Sequence, residues 1–288
     1  RALRGGGGTG TSPGERLDAM KLGNLAARVV TTAVLVPLVT LAVAWERPEG
    51  VAAIVLVSTL LTLTEYFAIT LDDATERRFG SIVGAILAIA VVLVPDVGVA
   101  ALPTAVLAPA IFYLFRFREL PSVLNRLGTM TFGLVYAGLL LPCVALAKRD
   151  GGAHGADWVF LILVIAWFGD TAAYFAGRTL GRHKLYPAIS PGKTWAGALG
   201  GFVGALLAAI LANLWFFPEL GWGHGLVVAT VGGVLGQLGD LVESMLKRAR
   251  GVKDSGKLLP GHGGMLDRID AVLFIAPWVY VYSRFVWR

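Results

Sequence analysis

The feature that most constrains this chain is a recurring block: apolar stretches of about 15 to 22 residues, each near the length a helix needs to cross a hydrocarbon core. About nine can be counted, at 29–45, 51–70, 81–94, 97–115, 129–147, 158–175, 196–217, 226–246 and 269–287. Within lipid every backbone N–H and C=O must be satisfied inside the protein. The expected fold is therefore all-α, a polytopic integral membrane protein of about nine transmembrane helices. The stretch at 81–94 is short enough to be tilted or re-entrant. Composition agrees: 56% of residues are hydrophobic and 15% charged, against about 45–50% and 25% in soluble domains. Mean hydropathy is +0.71. The single cysteine, Cys143, lies in an apolar run, which excludes an intramolecular disulfide and a cysteine metal cluster.

Residues 1–19 are glycine-rich, start with Arg1 and lack apolar periodicity. They read as a disordered leader or upstream extension, leaving 20–288 as a single membrane-embedded domain. Ala42-Val43-Ala44 mimics a signal-peptidase site, but the spans that follow favour an uncleaved first helix. The net charge of +6 is spread between spans instead of over one soluble face, so it reads as topology and not as nucleic-acid binding. The N-terminus, Arg77 and Arg78, the group Arg116, Arg118 and Arg126, and the basic residues of 178–193 and 247–268 alternate onto one side, about 20 of the 25 in all. That side is expected to be cytoplasmic, with the N-terminus on it, in a multi-pass protein of the inner (cytoplasmic) membrane. Arg47, Lys148 and Arg149 fall opposite, and Arg284 and Arg288 are a mild exception.

Ionisable groups inside spans are costly, so each needs a reason. Glu65, Asp170, Asp240 and Glu243 stand out. Asp170 lies near the basic end of its span, among small residues that let helices approach. Asp240 and Glu243 sit toward the basic end of the eighth span, with Ser244 on the face of Asp240 by its i, i+4 spacing. Asp267 and Asp270 open the ninth span from the same side. Three helices thus bring carboxylates to one depth, a donor set suited to Mg²⁺, which takes a few carboxylates, waters and substrate phosphates. Pairing with nearby Lys and Arg is the competing explanation; it stays open for Asp170, whereas metal binding is preferred for Asp240 and Asp267. Glu65 reads as a helix-end or structural residue.

Two loops carry cations and glycines. In 244–270, Lys247, Arg248, Lys253 and Arg268 are suited to phosphate oxygens, and the glycines at 261, 263 and 264 would let backbone N–H groups approach an anion ahead of a helix. A bland positive-inside loop would explain the Lys and Arg but not His262-Gly263-Gly264 or Asp267. The other loop runs from Arg178 through Ser190-Pro191-Gly192-Lys193-Thr194. Gly192-Lys193-Thr194 fails as a Walker A motif, because Pro187 occupies the first glycine's place and no strand is expected before it. A Ser-Pro-x-Lys-Thr turn into a helix still offers hydroxyls, a lysine and a helix N-terminus to phosphate.

These residues resemble the CTP:phosphatidate cytidylyltransferase family. Ser244, Lys247-Arg248, Lys253-Asp254, Pro260, His262-Gly263-Gly264, Asp267-Arg268 and Asp270 match every fixed polar position of its C-terminal signature. The likeness extends to Asp170-Thr171, Gly177-Arg178, Gly181-Arg182 and 190–194, and covers the chain from Met20 onward. It implies transfer of a cytidylyl group from CTP to phosphatidic acid at the lipid bilayer, giving CDP-diacylglycerol and pyrophosphate. It further implies Mg²⁺ on Asp240 and Asp267, with Asp170 or Asp270 nearby for a second metal or a monovalent cation. Lys253 and Arg268 would act in catalysis with them. Lys247 and Arg248 would hold triphosphate or lipid phosphate, and Ser190, Lys193, Thr194, Arg178 and His262 would complete the substrate site. The family's second loop carries a glutamate where Ala196 stands here, which bears on rate more than on reaction type. Gly197, Gly200, Gly201 and Gly204 permit close helix contacts and leave room for a homodimer. An ion-coupled transporter is the alternative class, disfavoured because the acids lie toward one face and no internal repeat is evident. A sister enzyme acting on another lipid phosphate would look similar at the nucleotide site.

Overall fold

A computed structural model describes residues 32–94, 96–116, 119–256 and 263–287. The 1–19 leader, Arg118 and His262 lie outside the described residues. The described chain is built of helices: α1 (Thr32–Ala44), α2 (Glu49–Thr70), α3 (Ala74–Leu93), α4 (Gly98–Arg116), α5 (Leu120–Tyr136), α6 (Cys143–Asp150), α7 (Gly155–Leu180), α8 (Trp195–Leu211), α9 (Trp222–Ala249) and α10 (Leu266–Phe285). Five are long and apolar enough to cross a membrane: α2, α4, α7 with the short turn before it, α8 with the π-helical turn Ala212–Phe216 after it, and α9. The nine expected spans are thus not matched one for one. α3 and α10 fall on expected stretches but carry Glu76-Arg77-Arg78 and Asp267-Arg268-Ile269-Asp270 at their starts, which lowers their hydropathy.

Two local expectations are corrected. The stretch at 129–147 is not one helix: α5 stops at Tyr136, the chain turns through 137–142, and α6 restarts behind Pro142. The turn is as apolar as its flanks, so hydropathy cannot register it. The informative residue is Pro142, which has no N–H to continue the α5 ladder. The loop before α8, where no strand was expected, folds as an antiparallel hairpin of β1 (Lys184–Tyr186) and β2 (Ser190–Thr194), paired Lys184 to Thr194 and Tyr186 to Ser190. Lys193 therefore sits on a strand and not in a phosphate loop after one. Thr194 then caps α8, its Oγ1 accepting the Gly197 N–H at 3.1 Å.

The connections sort to two ends. At one end Arg250 reaches Ile69 O and Asp72, Arg126 pairs with the buried Glu76 at 2.8 Å, and Arg116 meets Thr75. At the other, Lys148 donates to Val43 O, Arg149 caps α3 through Val92 O, Tyr280 bonds Asp150, and His224 bonds Tyr282. Between them one continuous apolar core includes fully buried Phe67, Leu134, Trp158, Ile165 and Leu273. Large apolar residues such as Leu102, Ile111, Leu124 and Trp215 face outward, as lipid contact requires. The α8 glycine stripe is spent inside the chain: a Cβ on Gly200 would lie against Ala176, so α7 and α8 touch at backbone distance.

Candidate active site

α9 and α10 bring the acids together because Gly239 has no side chain. A Cβ there would lie 2.5 Å from Asp270 O, so the backbones meet one residue before Asp240. Carboxylate oxygens of Asp240, Glu243 and Asp270 consequently fall within 4.8 Å of one another. Ligand oxygens around Mg²⁺ at about 2.1 Å are about 3 to 4 Å apart, so this group needs only a slight contraction to share one ion. Two ammonium groups border it: Lys193 Nζ lies 2.6 Å from Asp240 Oδ2, and Lys247 Nζ lies 2.7 Å from Glu243 Oε1. Glu243 is almost wholly buried, and its Oε1 has that ion pair but no aligned hydrogen bond. A buried carboxylate with spare acceptor capacity among hard oxygen donors fits a divalent cation.

Beside the acids opens a cavity of about 520 Å³ between α7, the hairpin, α8 and α9. Asp170, Asp240 and Gln237 line its inner part, while Arg178, Ser190, Lys193 and Thr194 line the hairpin side. Asp170 and Asp240 sit roughly 14 Å inside the ends of their helices, so the cavity reaches from the basic end into the bundle. Gln237 is held by its Nε2, which donates to Ala198 O at 3.1 Å. Arg178 donates to Tyr174 Oη at 2.7 Å. The cavity thus unites the 190–194 loop with Asp240, although they are far apart in sequence.

The other expected residues take different places. Asp267 is not in the acid group: its oxygens accept from Lys247 Nζ at 2.8 Å, from Ser255 N at 3.0 Å and from Gly264 N at 2.9 Å. That engagement uses most of a carboxylate's acceptor capacity. Asp170 lines the same cavity as Asp240 but is not among the three grouped acids. Arg248 donates to Val252 O at 2.9 Å, and Lys253 and Arg268 are exposed on the loop and the first turn of α10. Glu65, read from sequence as structural, accepts the N–H groups of Met265 and Leu266, each at 2.9 Å, and so caps α10 from another helix. Sequence reasoning missed Gln237 as a cavity residue, because a lone amide carries no motif. It left Glu243 without a ligand role, although its i+3 spacing from Asp240 placed both on one helix face.

Comparison with known proteins gives this geometry a relative. Residues 26–286 match the Cytidylyltransferase family. The chain belongs to that family. Among similar cytidylyltransferases, the phosphatidate cytidylyltransferase of Thermotoga maritima is 35% identical over 266 residues, covering 90% of this chain and 96% of the relative. Those of Bacillus subtilis and Brucella suis are 42% and 44% identical, over 54% and 52% of this chain and 58% and 55% of theirs. The Bacillus and Brucella matches therefore span just over half of each relative, and the Thermotoga match nearly all of it. With its apolar helices, this cytidylyltransferase is a multi-pass membrane protein.

Proposed function

We propose that this cytidylyltransferase moves a cytidylyl group from CTP to phosphatidic acid, releasing pyrophosphate and forming CDP-diacylglycerol. A phosphate oxygen of the lipid attacks the α-phosphorus of CTP, the bond to the β-phosphate oxygen breaks, and pyrophosphate leaves with that electron pair. The attacking phosphate is already ionised at neutral pH, so the chain must overcome repulsion between two anions and need not supply a strong base. The observation that carries this reading is the 2.6 Å contact of Lys193 with Asp240, which joins the cationic hairpin to the acid group across one cavity.

Lys193, Ser190 and Thr194 hold the triphosphate at the hairpin, with Arg178 at the mouth. Asp240, Glu243 and Asp270 would hold Mg²⁺, Glu243 taking the ligand place expected for Asp267, and Asp170 faces them for a second cation. When bound, Mg²⁺ supplies charge neutralisation on phosphate oxygens. Lys193 and Lys247 offset the mutual repulsion of the acids through their ion pairs with Asp240 and Glu243. Arg248 at the end of α9, Lys253 after it and Arg268 in the first turn of α10 would meet the phosphates from the polar side, and His262 keeps the substrate role that the family resemblance implies. The excess of Lys and Arg at this end favours a cytoplasmic active site, a cytoplasmic N-terminus and residence in the inner membrane.

Lys193→Ala tests the reading. Loss of a charged phosphate contact at a partly desolvated site should lower kcat/KM for CTP about 100-fold, or about 3 kcal/mol, with no change in melting temperature. Unchanged CTP kinetics in that variant would remove the hairpin from the nucleotide site.

A further inference from the structure

Glu65 belongs to α2, far in sequence from the acid group, yet it fastens Ser255 and the start of α10. Its Oε1 accepts Met265 N–H at 2.9 Å; its Oε2 accepts Leu266 N–H at 2.9 Å and Ser255 Oγ–H at 3.1 Å. Ser255 is itself buried, and its N–H donates to Asp267. One serine is therefore gripped by two carboxylates, one from α2 and one from α10. The loop backbone is fitted to this grip. A Cβ on Gly256 would lie 2.7 Å from Glu65 Oε1, and one on Gly264 2.5 Å from Glu65 Oε2. From Asp267 the chain of contacts continues to Lys247 and then to Glu243 in the acid group.

We infer that Glu65 is a positioning residue for the cytidylyl transfer: through Ser255 and the start of α10 it holds Asp267 and Lys247, and so sets Glu243 against Asp240 and Asp270. This rests on the acid group being the reacting centre, as proposed above. Glu65 touches no substrate. The carboxylate is the right group because all three of its partners are donors, and it meets the unsatisfied N–H groups and positive dipole end of α10. An amide of the same shape would turn an NH₂ toward at least one of those donors.

The test is a steady-state assay of the full chain in detergent micelles with CTP, phosphatidic acid and Mg²⁺, using Glu65→Gln, Ser255→Ala and the double variant, each with a melting temperature. Glu65→Gln should lower kcat about 30-fold and leave KM for phosphatidic acid within about threefold, since Glu65 does not line the cavity. Ser255→Ala should lower kcat about tenfold, and the double variant should be no worse than Glu65→Gln alone, because both cut one link. Wild-type kcat in folded Glu65→Gln overturns the inference. So does a loss in the double variant equal to the product of the single losses, or a loss matched by the unfolded fraction. If Glu65→Gln does not fold, Ser255→Ala decides alone, and unchanged kcat there overturns it. Asp240→Asn in the same assay separates the underlying reading: full activity in that variant removes the acid group itself, whatever Glu65 does.

Discussion

Asp240 and Asp267 are both carboxylates near the basic end, one lining the cavity and one held by the loop before α10. The side chain of Asp240 keeps 35% of its surface and a single ammonium partner, whereas that of Asp267 keeps 7% and meets a lysine and two backbone N–H groups. Their asparagine variants should therefore fail differently. Asp240→Asn is expected to abolish turnover with little change in melting temperature. Asp267→Asn strips a buried partner from Lys247 and should cost about 3 kcal/mol of stability as well as activity. Parallel thermal melts and CTP assays check both; equal melting temperatures would return Asp267 to the exposed acids. The sequence exposed all of these carboxylates by the cost of burying charge. Which were ligands and which were fasteners depended on Ser255 and Gly264 lying over Asp267, a loop geometry that spacing along one helix does not encode.

Elements place the residues. The contact of α9 with α10 at Gly239 decides whether Asp240 and Asp270 can share a cation, so Gly239→Ala forces either the helices or the acids apart. Overpacking of this kind costs about 1–3 kcal/mol, and the expected kinetic effect is a raised Mg²⁺ requirement before any loss of folding. A Mg²⁺ titration of activity measures it, and an unchanged midpoint would show that the acids do not depend on this approach. Most helices were legible because spans 51–70, 97–115, 158–175 and 226–246 are long and uniformly apolar. The break at 137–142 was not, since its residues are as apolar as a helix and only Pro142 marks it. The hairpin was hidden for the opposite reason: its strands are only three and five residues long, and the burial along β2 does not alternate.

Across the molecule most of the basic residues and the acid group lie toward one end, Lys148 and Arg149 lie at the other, and the helices between carry apolar side chains outward. The proposed orientation makes this end cytoplasmic. With Cys143 replaced by serine, a cysteine in place of exposed Tyr186 on the hairpin should react with a membrane-impermeant maleimide only in inside-out vesicles. One in place of exposed Trp222 at the other end should react only in right-side-out vesicles. The reverse pattern would invert the topology. The family was legible from the 244–270 signature, whose fixed polar positions no packing rule demands. The joining of 190–194 to Asp240 across the cavity needed the α7–α8 contact to be seen.

The central claim is that this cavity carries cytidylyl transfer to a lipid phosphate on the acid group around Asp240. The most direct measurement follows CTP labelled at the α-phosphate in micelles of phosphatidic acid, with wild type and Asp240→Asn, with and without Mg²⁺. The account predicts that label enters the lipid as CDP-diacylglycerol only with wild type and Mg²⁺, with one pyrophosphate released per lipid labelled. Label transfer by Asp240→Asn at the wild-type rate, or pyrophosphate release without labelled lipid, would contradict it.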